Sequence, residues 1–302
     1  MTTSAVTGPE AGGLPTPEPG RPAAPPEAGP ALEDLVDLGS YPVLNLDGPT
    51  AQAALVGWRA QLAGIGACEL PGFLTPAGVE ALVADARAVA TRAYRSSGIG
   101  TAYLNLPDGD APAGHPTRWL GPFALGAVAY DLIPRTSLLR LLYEWDPMKD
   151  LIEAILGRGP IFRYADPFGA LNLAVMEEGD ELQWHFDQTH FVVSLAIEPS
   201  EAGGDFEVAP LIRSADDPRY EAVAGVLNDS DTSPVVTLPM TAGTLLVFEG
   251  RHSLHRVSPV QGGRARLVGL LAYDTKAGTM GSEMLRMNRY GRTEPYSDPP
   301  AA

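Results

Sequence analysis

The feature that most constrains this chain is a change of pattern at Gly157. Beyond it come closely spaced apolar segments too short for helices: Ile161–Ala165, Leu171–Met176, Leu182–Phe186, Phe191–Ile197, Phe206–Ala209, Pro234–Leu238, Thr244–Glu249, Leu254–Val257 and Arg266–Tyr273. Gly, Pro, Asn or Asp separates most of them, the punctuation expected between strands. So many short strands must bury their edges and one face, which a β-sandwich or barrel achieves. A helical stretch around Pro218–Leu227 interrupts the series.

Ahead of Gly157 the spacing is helical. Pro49-Thr50 opens a segment running to about Ala63, and Gly66–Leu74 reads as a short strand ending in a turn. Thr75-Pro76 combines a hydroxyl N-cap with proline at the first helical position. Val79, Leu82, Val83, Ala86, Val89, Ala90 and Ala93 then recur at helical spacing. Asp146-Pro147 repeats the start signal, Met148, Leu151, Ile152 and Ile155 line one face, and Gly157 stands where a helix stops. Helices first and strands after predict an α+β protein. There is no internal repeat.

Residues 1–38 differ from the rest, because Gly8–Pro30 is built mainly from Pro, Gly, Ala and Glu. Such a segment buries too little apolar surface to offset its ordering entropy, so it is expected to be a disordered tail ahead of one domain over 39–302. Lys plus Arg is 21 against 37 Asp plus Glu, a net charge of −16 that repels phosphate backbones and disfavours nucleic acid as partner. The single cysteine, Cys68, cannot form an internal disulfide and is expected as a small buried apolar residue. No apolar run is long enough to span a bilayer, and the N-terminus lacks the basic start and apolar stretch of a signal peptide. A cytoplasmic protein is the expectation.

The chemistry concentrates in Gln183-Trp-His-Phe-Asp187. On a strand, His185 and Asp187 project from one face, so an imidazole nitrogen and a carboxylate oxygen reach one metal ion, while Trp184 and Phe186 turn into packing. Among five histidines, the best third ligand is His255, opening His-Arg-Val-Ser-Pro-Val260 after the strand that starts near Gly243. His252 lies an odd three positions away and faces oppositely. His190 is also an odd number from His185 and reads as a surface or substrate-side residue. His115 sits in a Gly/Pro-rich loop and reads as solvated or part of a lid. Two His and one carboxylate on one face of an ion leave three positions open, the facial triad suited to Fe(II), a bidentate 2-oxo acid and O₂. Arg264, in Gly262-Gly-Arg-Ala-Arg-Leu-Val268, shares a strand face with Arg266 and offers a planar fork for a co-substrate carboxylate.

At these residues the chain resembles the Fe(II)/2-oxoglutarate dioxygenase superfamily. The resemblance implies a double-stranded β-helix (jelly-roll, cupin-like) core with preceding helices packed on it. It implies His185, Asp187 and His255 as iron ligands, and Arg264 as the residue that binds the far carboxylate of 2-oxoglutarate. Arg266 stands where many members carry a second carboxylate-binding residue, often Ser. Over roughly residues 120–292, Phe162–Pro167, Gly179–Asp187, Gly203–Glu207 and Pro210–Arg213 are similar to the radical halogenases of free amino acids and their hydroxylase relatives. In the halogenases of that clade Gly replaces the carboxylate ligand and chloride occupies its place; this chain has Asp187.

The resemblance implies oxidative decarboxylation of 2-oxoglutarate to succinate coupled to attack on an unactivated C–H, with hydroxylation of an amino acid or amino-acid-derived metabolite in specialised metabolism as the leading reading. Oxidative cyclisation, desaturation or halogenation on the same scaffold is the alternative. A cupin-like metal-binding protein without turnover is the rival outside enzymes, and a carboxylate clamp argues against it. Asn172, Gln188, Thr189, Glu207, Arg213 and Asp274 are candidate substrate contacts. Arg289–Arg292 is a candidate C-terminal closing segment, equally readable as a solvated basic tail.

Overall fold

The computed structural model describes residues 30–296. In chain order the helices are α1 Leu32–Leu35, α2 Pro49–Ile65, α3 Pro76–Ala90, α4 Leu138–Glu144, α5 Asp146–Leu156, α6 Tyr220–Leu227 and α7 Glu283–Tyr290. The strands are β1 Ala67–Leu70, β2 Tyr94–Thr101, β3 Leu120–Val128, β4 Phe162–Arg163, β5 Leu171–Met176, β6 Glu181–His185, β7 Val192–Glu198, β8 Ala202–Gly203, β9 Phe206–Ala209, β10 Val236–Leu238, β11 Leu245–Phe248, β12 Leu254–Val257, β13 Val260–Gln261, β14 Arg266–Leu271 and β15 Tyr273–Asp274.

The helix signals act as their chemistry dictates. Thr75 Oγ1 accepts from the Gly78 amide at 3.0 Å to start α3. Gly66 and Gly157 end α2 and α5 in the left-handed conformation that costs glycine nothing. Of the tail expected over 1–38, residues 1–29 lie outside the described residues. Among the described residues, the compact unit begins at Ala31. Leu35 and Val36 are buried, Val36 bridges to Leu74, and the Thr75 amide donates to the Leu35 carbonyl at 2.9 Å. A few apolar residues next to Pro-rich sequence are enough when a neighbouring groove completes their burial.

Ten strands run in the order β1-β11-β7-β14-β5-β3-β6-β12-β9-β10, and β2 pairs along β3. All pairings are antiparallel. β3 joins two sheets, because Gly126–Val128 pair with β5 while Phe123 and Ala124 pair with β6. The ladder therefore curls into the double-stranded β-helix of an α+β protein. Sequence reading missed β2, β3, α4 and α7. β2 is largely exposed and β3 carries Gly121, Pro122 and Gly126, so neither shows the apolar alternation that marks a strand.

Three apolar clusters organise the layers. Leu171, Leu173, Val175, Val193, Leu195, Leu245, Val247, Leu267 and Leu271 pack outward against α1 to α5. Leu125, Met176, Phe206, Val208, Leu246, Phe248 and Val257 pack between the two sheets. Trp184, Phe186, Ala209 and Leu254 pack on the far side of the second sheet, under Val223, Val226 and Leu227 of α6. Strand periodicity sends alternate residues to opposite layers, which leaves the interior to polar residues where the chain supplies them.

Candidate metal centre and co-substrate pocket

His185 and His255 face one another in register across β6 and β12. The register slips between His255 and Val257, which pairs with Leu182, so Gln183 and Trp184 of β6 oppose Arg256 alone of β12. This bulge lets Leu182 and His185 both face the interior although they are an odd three apart. Trp184 and Phe186 turn outward, as alternation requires. Asp187 follows the strand, with its amide donating to the Gly250 carbonyl at 3.0 Å and the Phe186 amide donating to Ala102 at 2.8 Å.

The two imidazoles are oriented alike. His185 Nδ1 lies 2.8 Å from the Gln183 carbonyl, and His255 Nδ1 lies 2.9 Å from the Ser253 carbonyl. A carbonyl only accepts, so each Nδ1 carries the proton and each Nε2 presents a lone pair inward. Burial first, and then the neighbouring His255, hold the His185 pKa down to about 4, against the pull of Asp187. A neutral imidazole is the form that binds metal.

His185 Nε2 lies 4.0 Å from Asp187 Oδ1, and His255 Nε2 lies 3.4 Å from Asp187 Oδ2. One donor atom from each residue falls within 4.8 Å of the others, the single such grouping among the described residues. Bonds of about 2.1 Å at right angles would set donors about 3 Å apart, so small side-chain rotations bring all three onto one ion. Asp187 Oδ2 is buried without a hydrogen-bond partner among the described residues. Lone pairs of imidazole and carboxylate facing one another in a dry site repel, and a divalent cation converts that arrangement into three ligand bonds. Gly250 permits it: a Cβ there would lie 2.0 Å from Asp187 Oδ2. The donors fit a metal with an open face.

The two arginines of β14 and its approach part company. Arg264, expected as the main carboxylate contact, is exposed, and its Nε and Nη2 donate to the Pro199 and Ser200 carbonyls at 2.9 and 3.2 Å. Arg266 is buried and pairs in register with Met176. Its Nη1 reaches the Met176 sulfur at 3.9 Å, and among the described residues it has no oxygen acceptor. Burial lowers its pKa to about 10, with Asp205 acting weakly the other way. Met176 shares its cluster with Phe206 and Phe248, whose rings lie 5.6 and 5.0 Å from that of His255. The guanidinium and the triad thus open on one interior. Gly204 makes room for it, at φ +65° and with an added Cβ 3.0 Å from Arg266 Cδ. An unpaired buried charge is costly, and an incoming carboxylate removes the cost.

The candidate substrate contacts also divide. Asn172 is buried with Oδ1 unpartnered, and lines a small cavity with Thr189, Tyr164, Val192 and Leu270. Asp274 accepts from Thr279 Oγ1 at 2.8 Å, and its charge, with those of Asp187 and Asp166, adds to burial in raising the pKa of Tyr164 to about 12. Gln188 is exposed and donates to the Leu104 carbonyl at 3.3 Å. Glu207 and Arg213 do not reach the interior. Glu207 pairs with Arg256, which lies over the Trp184 ring, and Arg213 lies 3.7 Å from the centre of the Phe186 ring. Glu207 of β9 belongs to the outward layer, because one register step decides which side of a strand a residue serves, and Arg213, in the loop after β9, lies on the same side. His190 is exposed, whereas His115 hydrogen-bonds Thr117 Oγ1 at 2.7 Å and packs on Tyr220. Sequence reading missed Gly250 and Tyr164; only their proximity to Asp187 marks them.

No curated protein matches the chain. Three solved structures are similar in fold. The epimerase SnoN, in complex with Fe3+, alpha ketoglutarate and nogalamycin RO, gives a TM-score of 0.55 at 16% identity, over 83% of this chain and 96% of that one. The non-heme alpha ketoglutarate dependent carbocyclase SnoK from nogalamycin biosynthesis gives 0.52 at 16%, over 82% and 93%. AviO1 from Streptomyces viridochromogenes Tue57 gives 0.51 at 19%, over 74% and 96%. A family model described as Halogenase D matches residues 124–286, more than half of the chain and the segment that holds the whole triad and Arg266. The chain belongs to the Halogenase D family.

Proposed function

We infer that the protein is an Fe(II)- and 2-oxoglutarate-dependent oxygenase that hydroxylates an unactivated C–H bond of a small molecule, with an amino acid or amino-acid derivative as the substrate class. His185, Asp187 and His255 would hold the iron, and Arg266, in place of the expected Arg264, would take the far carboxylate of 2-oxoglutarate. The bound iron, 2-oxoglutarate and O₂ supply the oxidising power for C–H cleavage. The chain's own part is to fix three ligands on one face, anchor the co-substrate and keep water out. The apolar walls of Phe206, Phe248 and Val257 serve the last purpose. Asn172, Thr189 and Asp274, at the opening beside Asp187, are the proposed substrate contacts.

One observation carries the choice of reaction. Asp187 would fill the third ligand position with a buried oxygen that no group among the described residues satisfies, and a Cβ at Gly250 would obstruct it. A carboxylate there occupies the place that halide takes in the clade's halogenases. The family's description favours a second reading, halogenation, and the carbocyclase and epimerase folds make ring closure or another hydrogen-abstraction outcome worth reading in the same experiment. The test incubates the protein with Fe(II), 2-oxoglutarate, ascorbate and chloride against free L-amino acids and related metabolites, followed by mass spectrometry. Gain of one oxygen matched by succinate supports hydroxylation. Gain of chlorine, or loss of two hydrogens, keeps the iron site and replaces the reaction. Iron-loaded protein that never forms succinate would sink the reading.

A further inference from the structure

A small cavity of about 70 Å³ lies where β5 and β7 begin and β14 ends. Its wall includes Asn172, Thr189, Val192, Leu270 and Tyr273, and Thr189 is two residues beyond Asp187. Alternation along β5 turns Leu171 and Leu173 to the helices and Asn172 to the barrel interior. Two polar side chains of this wall are left open. Asn172 is 8% exposed and Tyr273 2%, and neither Asn172 Oδ1 nor the Tyr273 hydroxyl has a hydrogen-bond partner among the described residues. Tyr143 gives the contrast: its ring lies 5.4 Å from that of Tyr273, and its hydroxyl donates to the Ala272 carbonyl at 3.0 Å. A tyrosine that serves only the core is satisfied in that way. Two open groups on one cavity cost free energy that a ligand recovers.

The wall also restricts what the ligand is. No charged residue lines the cavity. Asp187 is turned to the metal centre, and Asp274, next along the chain from Tyr273, accepts from Thr279 Oγ1 at 2.8 Å. A charged group entering would lose water without gaining a counter-ion. Burial raises the pKa of the Tyr273 hydroxyl, so it stays protonated and both donates and accepts, while Asn172 Oδ1 accepts. The volume is about that of two water molecules in the liquid, roughly 30 Å³ each, which suits a carboxamide or hydroxyl group and is too small for an aromatic ring. Met176, which pairs with Arg266, lies four residues farther along β5, about 13 Å away. The cavity is therefore out of reach of a 2-oxoglutarate held by Arg266.

We propose that this cavity receives an uncharged hydrogen-bonding group of the substrate, a carboxamide or hydroxyl at the end of its side chain, held between Asn172 and Tyr273. The oxidised molecule then carries a neutral polar side chain, neither cationic nor purely apolar. This rests on the oxygenase reading and deepens it by naming what the pocket selects.

Calorimetry on the full-length protein, loaded anaerobically with Fe(II) and 2-oxoglutarate, tests this. The probes are L-asparagine beside L-aspartate and L-leucine, L-glutamine beside L-glutamate and L-lysine, and L-threonine beside L-valine. At least one neutral polar side chain should bind about 10-fold more tightly than its counterparts, the worth of one or two neutral hydrogen bonds. Asn172→Leu should abolish that preference, Tyr273→Phe should reduce it about 3-fold or more, and Glu207→Gln, on the outer face, should keep it. Free of ligand, Asn172→Leu and Tyr273→Phe should melt no lower than wild type, because each removes a buried polar group that lacks a partner. A charged or apolar side chain that binds best, the absence of any preference, or no binding at all overturns the proposal. So does a lowered melting temperature with the preference intact, which would return both residues to the core. A separate titration of wild-type protein with 2-oxoglutarate reads the underlying oxygenase assignment, so the two can fail independently.

Discussion

The two faces of the second sheet use similar residues to opposite ends. On the outer face Glu207, Arg256 and Arg213 are each partnered: Glu207 holds Arg256, Arg256 covers Trp184, and Arg213 lies on Phe186 while its Nε donates to the Arg251 carbonyl at 2.8 Å. Across the interior the polar groups are left open. Asp187 Oδ2, Asn172 Oδ1 and the Arg266 guanidinium lack an oxygen or nitrogen partner among the described residues. Burial without satisfaction costs free energy, so a fold that tolerates it at several converging positions holds them for ligands. For these charged groups residue type does not separate the two faces and satisfaction does, although the Tyr103 hydroxyl of the outer cluster is also buried without a partner among the described residues.

Removing an interior group should be felt first in chemistry. Asp187→Ala deletes a proposed iron ligand, and succinate formation should fall by at least about 100-fold. Retained turnover would break the contrast at its centre. Arg266→Met should raise the KM for 2-oxoglutarate by roughly 30-fold or more, the loss of a buried charge pair of about 2 kcal/mol or more. Without co-substrate the same variant should melt no lower than wild type, because it removes an unpaired buried charge. Lowered thermal stability together with an unchanged KM would return Arg266 to a structural role.

Outer-face changes should do the reverse. Arg213→Ala loses a ring contact and a hydrogen bond and should cost about 1 kcal/mol in denaturant unfolding, with 2-oxoglutarate affinity unchanged. Glu207→Gln, in a partly exposed pair, should cost no more than about 1 kcal/mol. An activity loss greater than the stability loss in either variant would blur the distinction between the faces.

Cys68 sharpens the comparison from a third side, on the helix-facing layer. It is fully buried, and burial raises its thiol pKa to about 12. An acid held protonated by the fold deprotonates more readily once unfolded. Its contribution to stability is therefore complete below the ordinary thiol range and is lost as pH rises from there through about 12. At pH 8 iodoacetamide should leave the native protein unlabelled and modify it in denaturant. Native labelling would show that this layer opens.

Much of the centre was legible along the chain. His185 and Asp187 two apart, and His255 opening His-Arg-Val-Ser-Pro-Val, predicted the ligand grouping that the fold assembles. The outward turn of Trp184 and Phe186 also followed from alternation. The exchange of Arg264 for Arg266 as the buried cation could not be read. Both have the same parity, and only the point where β14 enters the sheet exposes one and buries the other. The outward placement of Glu207 was hidden for a related reason, because a residue's face depends on the register of its neighbours, which pairs segments far apart in sequence, while that of Arg213 depends on where the loop after β9 runs.

What the sequence determined by itself is what short-range chemistry decides: caps, helix ends, strand alternation and the donors of the metal centre. Tertiary structure decided what depends on distant segments meeting. The bulge that aims His185, the Gly250 hollow that admits Asp187 and the burial of Arg266 each require two stretches of chain to meet. Their free-energy cost or gain exists only once water has been excluded between them.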